Sequence, residues 1–378
     1  MIKKFLFLIL VALFFLPFNF VSASDKSVAQ EDFLFKAEVI EILDEEERVH
    51  PDGREVRQQN LRLLGLEGEY LDKEVVFEGI GDFEVLDSDE YKKGDKVLVA
   101  ASQDAQGNRH YYVVDHVRTT TLWFLAGFFV FFILLAAGWK GLRSLISLSL
   151  TLIIVVAFII PQIIAGANPL VTTLVGSFLS LLLIIYITEG WGVRSHLAVA
   201  SIFLSLFFIL FLSWIFIKMT HLTGAGGDES ILLLNSLPGD INFQGLLLAG
   251  IVIGSLGVLG DMVISQIVTT EEIYKANNFL TKTKLFKKSY RVGSSHISSM
   301  VNTLFLAYAG ASLPLLILFS SSQGPFSSWQ QIISTEMVAI EVVRTLCGSI
   351  GLILAAPLAT GLAVWYYKRY RVEHQDAR

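Results

Sequence analysis

The sequence predicts an α-helical polytopic membrane protein, with seven spans after a signal peptide and a small extracytoplasmic β-rich domain, OB-like or similar, before the first span. Three observations predict it. Mean hydropathy is +0.59, and 53% of the 378 residues are hydrophobic. Charged residues are 17% of the chain, against about 25% in ordinary soluble domains. Those charges are unevenly placed: residues 24–118 carry 24 Asp and Glu against 12 Lys and Arg, whereas residues 119–378 carry 11 against 15. A soluble enzyme, a nucleic-acid binder and a disulfide scaffold are excluded, the last because Cys347 is the only cysteine.

The first element is an export signal. Lys3 and Lys4 precede an apolar run from Phe5 to Phe20, and Val21-Ser22-Ala23 supplies small residues before Ser24. That order predicts a signal peptide over residues 1–23, with an uncleaved anchor helix as the alternative. Both place residue 24 onward outside the cytoplasm.

Residues 24–118 read as the β domain. Strands are expected at Phe33–Leu43, Glu55–Leu64, Glu74–Glu78, Lys96–Ser102 and Arg109–Val117. Pro51-Asp52-Gly53, Lys93-Gly94-Asp95 and Gln106-Gly107-Asn108 separate them as turns. The acidic run Asp44–Glu47 reads as a solvated loop. His110 and His116 fall on one face of the last strand under period-2 alternation, without the further ligands a metal site needs.

Residues 119–367 hold seven apolar stretches, near Thr121–Trp139, Leu145–Ile164, Leu170–Ile187, Leu197–Ile217, Gly245–Ile267, Ser298–Phe319 and Val338–Trp365. Spans need roughly 20 apolar residues each. With residue 118 outside, the basic residues gather on the inner side: Lys140 and Arg143, Arg194, Lys275 to Arg291, and a tail over residues 368–378 with Lys368, Arg369, Arg371 and Arg378. The outer loops carry Asp228, Glu229, Asp240 and Glu336. This positive-inside pattern places the C-terminus in the cytoplasm.

Polar residues inside the spans mark candidate chemistry. Asp261, with Ser265 at i+4, is ionisable within the fifth span. Such a group costs about 2.5–3.5 kcal/mol on insertion scales and normally faces the bundle or water. The sixth span begins with His296, Ser299, Asn302 and Thr303 at compatible depth. The expectation is a protonatable or cation-coordinating network of Asp261 and Asn302 reaching towards His296, or a structural hydrogen bond between helices. Glu341 and Arg344, spaced i, i+3 near the outer end of the seventh span, form a secondary candidate. Gly250, Gly254, Gly257 and Gly260 form a small-residue ridge on the fifth span, and Gly348 with Gly351 on the seventh, each read as a packing surface. Pro161 and Pro357 can break helices. No catalytic motif is present: Asp261 is the only Asp within a span, Ser294-Ser295-His296 lacks a glycine-flanked serine, and the Thr223–Gly227 loop follows no strand. No enzyme activity, cofactor or metal is expected, an intramembrane enzyme being the lesser alternative.

Three passages carry a resemblance. They are Gly257–Gln266 (GVLGDMVISQ), the stretch from Gly293 through Met300-Val301-Asn302-Thr303-Leu304 to Ala307-Tyr308-Ala309-Gly310, and Glu341-Val342-Val343-Arg344-Thr345-Leu346-Cys347-Gly348-Ser349-Ile350-Gly351 ending near Pro357. In order and spacing they resemble the YibE/F-like family of multi-pass bacterial membrane proteins. The resemblance implies a bacterial plasma-membrane location and a permease-like role without an established substrate. The leading expectation is therefore a transporter, permease or permease subunit. The competing one is a membrane-anchored sensor or scaffold whose exported domain binds a ligand or partner. The partners expected are the lipid bilayer and either a second copy or a paralogous family member.

Overall fold

A computed structural model describes residues 33–49, 55–80, 90–103, 108–227, 230, 232–234, 241–320 and 328–370. The expected signal peptide, the expected turn at Pro51–Gly53 and most of that at Gln106–Asn108, the acidic residues Asp228, Glu229 and Asp240, and the residues beyond Tyr370 lie outside the described residues. The chain divides into two compact units, one within Ala23–Leu135 and one within Ala136–Arg378.

In the first unit, β1 (Phe33–Val49), β2 (Glu55–Gly65), β3 (Glu74–Glu78), β4 (Lys96–Gln103) and β5 (Arg109–His116) form one antiparallel sheet in the order β3-β2-β1-β4-β5. It curls into a half-barrel, and β3 and β5 touch. Alternation decides its inside: Phe35, Ala37, Val39, Leu61, Leu63, Val75, Phe77, Val97, Val99 and Ala101 point inwards and are buried. Tyr70 stacks on Phe35 at 4.1 Å between ring centres and helps close the core. Gly94 makes the turn into β4 at φ 93°, which glycine adopts without strain.

Two expectations are corrected here. The run Asp44–Glu47 is strand, not loop, because β2 answers it residue by residue: Gln59 Nε2 donates to Glu45 at 2.7 Å, and Arg57 pairs with Glu47. His110 and His116 lie on opposite faces. His110 sits opposite Ser102, on the outer face, and His116 opposite Val97, on the inner face. An extra residue in β5 between the partners of Leu98 and Val99 inverts the alternation. His116 consequently packs on Tyr91, 4.7 Å between rings.

The helices follow. α1 (Thr119–Ile154) runs into a π turn at Val155–Ile159 and then α2 (Ile160–Ile164). Pro161 explains the π turn: without an N–H it withdraws one bond from the ladder. Next come α3 (Pro169–Thr188), α4 (Val193–Met219), α5 (Phe243–Ala276), α6 (Lys282–Ala311), α7 (Leu313–Ser320), α8 (Trp329–Ile333) and α9 (Glu336–Tyr370). Asn168, Asn242 and Thr281 cap α3, α5 and α6 by accepting from backbone N–H groups of the first turn. α9 passes through Pro357 unbroken.

Five helical stretches are long and apolar enough to cross a membrane among the described residues: Thr119–Ile164, Pro169–Thr188, Val193–Met219, Phe243–Ala276 and Glu336–Arg369. The expected first and second spans fall within one 46-residue stretch. Gly138 interrupts it with the non-helical angles φ 52°, ψ −129°. The expected sixth span, Ser298–Phe319, falls on the second half of α6 and on α7, with a break at Ser312 between them, and α6 is too polar to count among the five. α6 ends where Pro314 begins the next turn of chain.

α4, α5, α6 and α9 pack together, with α3 against α5. Their shared core is Leu206, Ile209, Ile251, Leu256, Val263, Ala355, Ala359 and their neighbours. Small polar residues line the same contacts. Ser201, Ser205, Ser255 and Thr270 are buried, and each hydroxyl donates to the carbonyl four residues back.

Candidate functional site

The three passages singled out in the sequence meet along α5, α6 and α9. Gly293 of α6 lies against the Gln266 amide of α5, so closely that any Cβ would collide with it. Gln266 is buried and donates through Nε2 to Ser289 O at 3.0 Å and to Thr360 Oγ1 at 2.7 Å. One amide thereby ties three helices. Gly348 of α9 faces Ser255 of α5 and Leu304 of α6, and Gly351 faces Ile209 of α4.

The glycine ridge of α5 divides. Gly254 faces the Tyr308 hydroxyl of α6, whereas Gly250, Gly257 and Gly260 have open space where a Cβ would stand. Helical phase then decides the fate of Asp261. Leu259, Met262, Val263 and Gln266 take the buried face of α5, and Gly254, Gly257, Asp261 and Ser265 share the opposite, exposed one. The expectation that Asp261 points into this chain's own interior is thus not met. His296 stands on the exposed face of the neighbouring α6, and no hydrogen bond joins Asp261 to Asn302 among the described residues.

α6 is correspondingly two-faced. Leu285, Ser289, Gly293, Ile297 and Leu304 are buried against α5 and α9. His296, Ser299, Asn302 and Thr303 are exposed. Thr303 bonds internally to Ser299 O at 3.0 Å. Asp261, Ser265, His296, Ser299, Asn302 and Thr303 thus lie on the exposed faces of two adjacent helices, an acid and a base together.

Glu341 and Arg344 pair along α9 at 3.0 Å and are half-buried. The guanidinium Nε is buried without an acceptor. Glu341 also enters the wall of an apolar cavity of about 300 Å³ between α6, α7 and α9, lined by Phe305, Tyr308, Leu315, Val338 and Thr345.

Two polar clusters escaped the sequence reading. Glu271, at the C-terminal end of α5, has only 7% of its side chain exposed. It accepts from Arg194 of α4, from Tyr367 of α9 at 2.7 Å, and from Lys275 at 3.0 Å. The opposite charges of Arg194 and Glu271 in two predicted inner loops were the available signal. At the start of α9, Glu336 accepts from Thr223 N (2.6 Å), Thr223 Oγ1 (2.7 Å) and Gly224 N (2.8 Å). Gly224 adopts φ 82° there, beside the Phe243 carbonyl. No group of three or more metal-ligating side chains occurs among the described residues.

Comparison with known proteins agrees with this convergence. The family model for YibE/F-like protein matches residues 125–369, which include the α3–α9 bundle and all three passages. No curated protein and no solved structure matches the chain. The chain is a membrane protein and belongs to the YibE/F-like family.

Proposed function

We propose that this protein is a permease or permease subunit whose solute path follows the polar faces of α5 and α6. One observation carries the reading: Asp261, His296, Ser265, Ser299 and Asn302 are gathered on the exposed faces of two adjacent helices, α5 and α6. Ionisable and polar groups in a membrane face protein or water, not lipid. Water along this surface is the simplest partner for so many hydroxyl and amide groups. Asp261 then serves as the protonatable or cation-holding group, with His296 as its neighbour.

The reading includes seven spans after a signal sequence. Gly138 divides the first long stretch in two, and α6 crosses with its polar face shielded. The positive-inside rule places the OB-like β unit outside and the C-terminus in the cytoplasm of a bacterial plasma membrane.

The test uses the near absence of thiols. In a Cys347→Ala background, single cysteines replace Ser265, Ser299 and Asn302, with Phe207 of α4 as a lipid-facing control. A small water-soluble thiol reagent should label the three polar-face positions in membranes and spare position 207. Equal protection of all four would sink the reading. Asp261→Asn should abolish any carboxylate-dependent proton leak in proteoliposomes, whereas a pure sensor would leave conductance unchanged.

A further inference from the structure

We propose that the exposed face of α5 and α6 is the seat of a second copy of this chain, so that two copies related by a two-fold axis enclose the polar surface between them. The inference rests on the path proposed above and names what forms its other wall. Its first support is the shape of α5. Beyond Gly250 and Gly257 there is open space, and Gly257, Asp261 and Ser265 continue the same exposed line. Small residues at this spacing let another helix approach closely.

Its second support is charge and hydrogen-bond complementarity. The covering helix must answer Asp261. The exposed stretch of α1 from Phe124 to Ala137 contains no polar side chain, and neither does α7 from Leu313 to Phe319. Neither stretch supplies a donor. A second copy does: its own face presents His296, Ser299, Asn302 and Thr303 beside Asp261. A two-fold contact is self-complementary by construction, because each residue meets its partner twice. An acid and a base lying together on one surface therefore satisfy the same pair on the other copy. The basic residues Lys284, Lys287, Lys288 and Arg291 fall at the end of α6, where solvent and headgroups separate the like charges.

The full chain tests this directly. Gly257→Cys, Ser265→Cys and Ser299→Cys are each made with Cys347→Ala, and membranes are treated with an oxidising copper complex. A disulfide-linked dimer is expected for the three face positions and not for Phe207→Cys on α4. Because a glycine replacement can disturb folding, Gly257→Trp and Phe207→Trp are compared by native mass spectrometry. The first should be monomeric and the second dimeric. Absence of dimer at all three cysteines, with folded protein, overturns the proposal. So does an intrachain disulfide between Gly257→Cys and Gly127→Cys, which would make the chain's own first helix the cover. Cross-linking and labelling separate the two readings. A cross-linked face that stays closed to the thiol reagent keeps the dimer and removes the path, and a labelled face that never cross-links does the reverse.

Discussion

The two units of this protein put their polar groups in opposite places. In the β unit, apolar side chains such as Leu61 and Val97 are fully buried, and the ion pairs Lys36–Glu67, Arg62–Glu41 and Arg57–Glu47 lie on the outside. In the helical unit, large apolar residues such as Phe203, Phe207 and Trp214 are outside. Gln266, Glu271, Thr360 and several serines are inside. Each surface is matched to its solvent. The consequence is that a polar contact means different things in the two units. Exposed pairs in water contribute little. Buried ones in the bundle hold helices that hydrophobic burial alone cannot distinguish from lipid.

The largest effect is expected where that contrast is strongest. Glu271→Ala leaves Arg194, Lys275 and the Tyr367 hydroxyl without their common acceptor. Breaking a fully buried ion pair costs about 3–5 kcal/mol. Because Arg194 and Lys275 stay 41% and 42% exposed, the loss here lies toward the lower end, with the Tyr367 hydroxyl as the group left buried. Thermal unfolding in detergent should show a fall in midpoint far larger than that of Glu272→Ala, whose side chain is 58% exposed. Equal midpoints would show that the cluster is decoration.

In the β unit the corresponding loss is apolar. Leu61 has no exposed surface and sits at the centre of the half-barrel. Leu61→Ala should cost about 2–5 kcal/mol through lost burial and a residual cavity. Val76→Ala, on the exposed face of β3, should be near neutral. Far-ultraviolet circular dichroism of residues 24–118 checks both variants, and a cooperative β-type melt of the parent fragment is itself an expected result. A helical or featureless spectrum would end the domain assignment.

How much of this was legible beforehand follows the same contrast. Strands β2 to β5 were readable nearly to the residue, because alternation and turn residues such as Gly94 bound them on both sides. The bulge that inverts His116 was not, since one extra residue leaves no mark in composition. The bundle's helices were readable from apolar runs. Their phase was not: α5 is small or apolar all round, so nothing local says that Met262 faces in and Asp261 out. The role of Gln266 was hidden for another reason. Its partners are Ser289 O and Thr360, so its significance exists only once three helices are side by side.

A smaller effect sharpens the packing side. Gly351→Ala would drive a methyl into Ile209, whereas Gly310→Ala meets open space. Overpacking costs typically about 1–3 kcal/mol, and alanine in an unobstructed helix position gains up to about 1 kcal/mol over glycine. The two substitutions should therefore move the detergent melting midpoint in opposite directions. Shifts of the same sign would mean that α4 and α9 can separate at no cost, and that the contact is not close-packed.

The smallest effect belongs to a surface pair of the β unit, and its sign is fixed by pH. Glu67 accepts from Lys36 Nζ at 2.9 Å and from Lys36 N at 3.1 Å. The hydrogen bond from the Lys36 ammonium, aided by its backbone N–H, holds the Glu67 carboxyl below its ordinary value. The unfolded chain has a glutamate near about 4.3. A carboxyl depressed on folding stabilises the native state above that unfolded value, and the contribution disappears as pH falls through the lower, folded value. Glu67→Gln should thus melt slightly below the parent at pH 6. The gap should narrow from about pH 4 downward, as the parent's own carboxyl is protonated. The side chains are 43% and 44% exposed, so raised salt should shrink the gap at pH 6 as well. A gap that stayed constant from pH 6 to pH 3 would show that the glutamine substitution acts through shape rather than charge, and the pair would then not differ in kind from the apolar contacts around it.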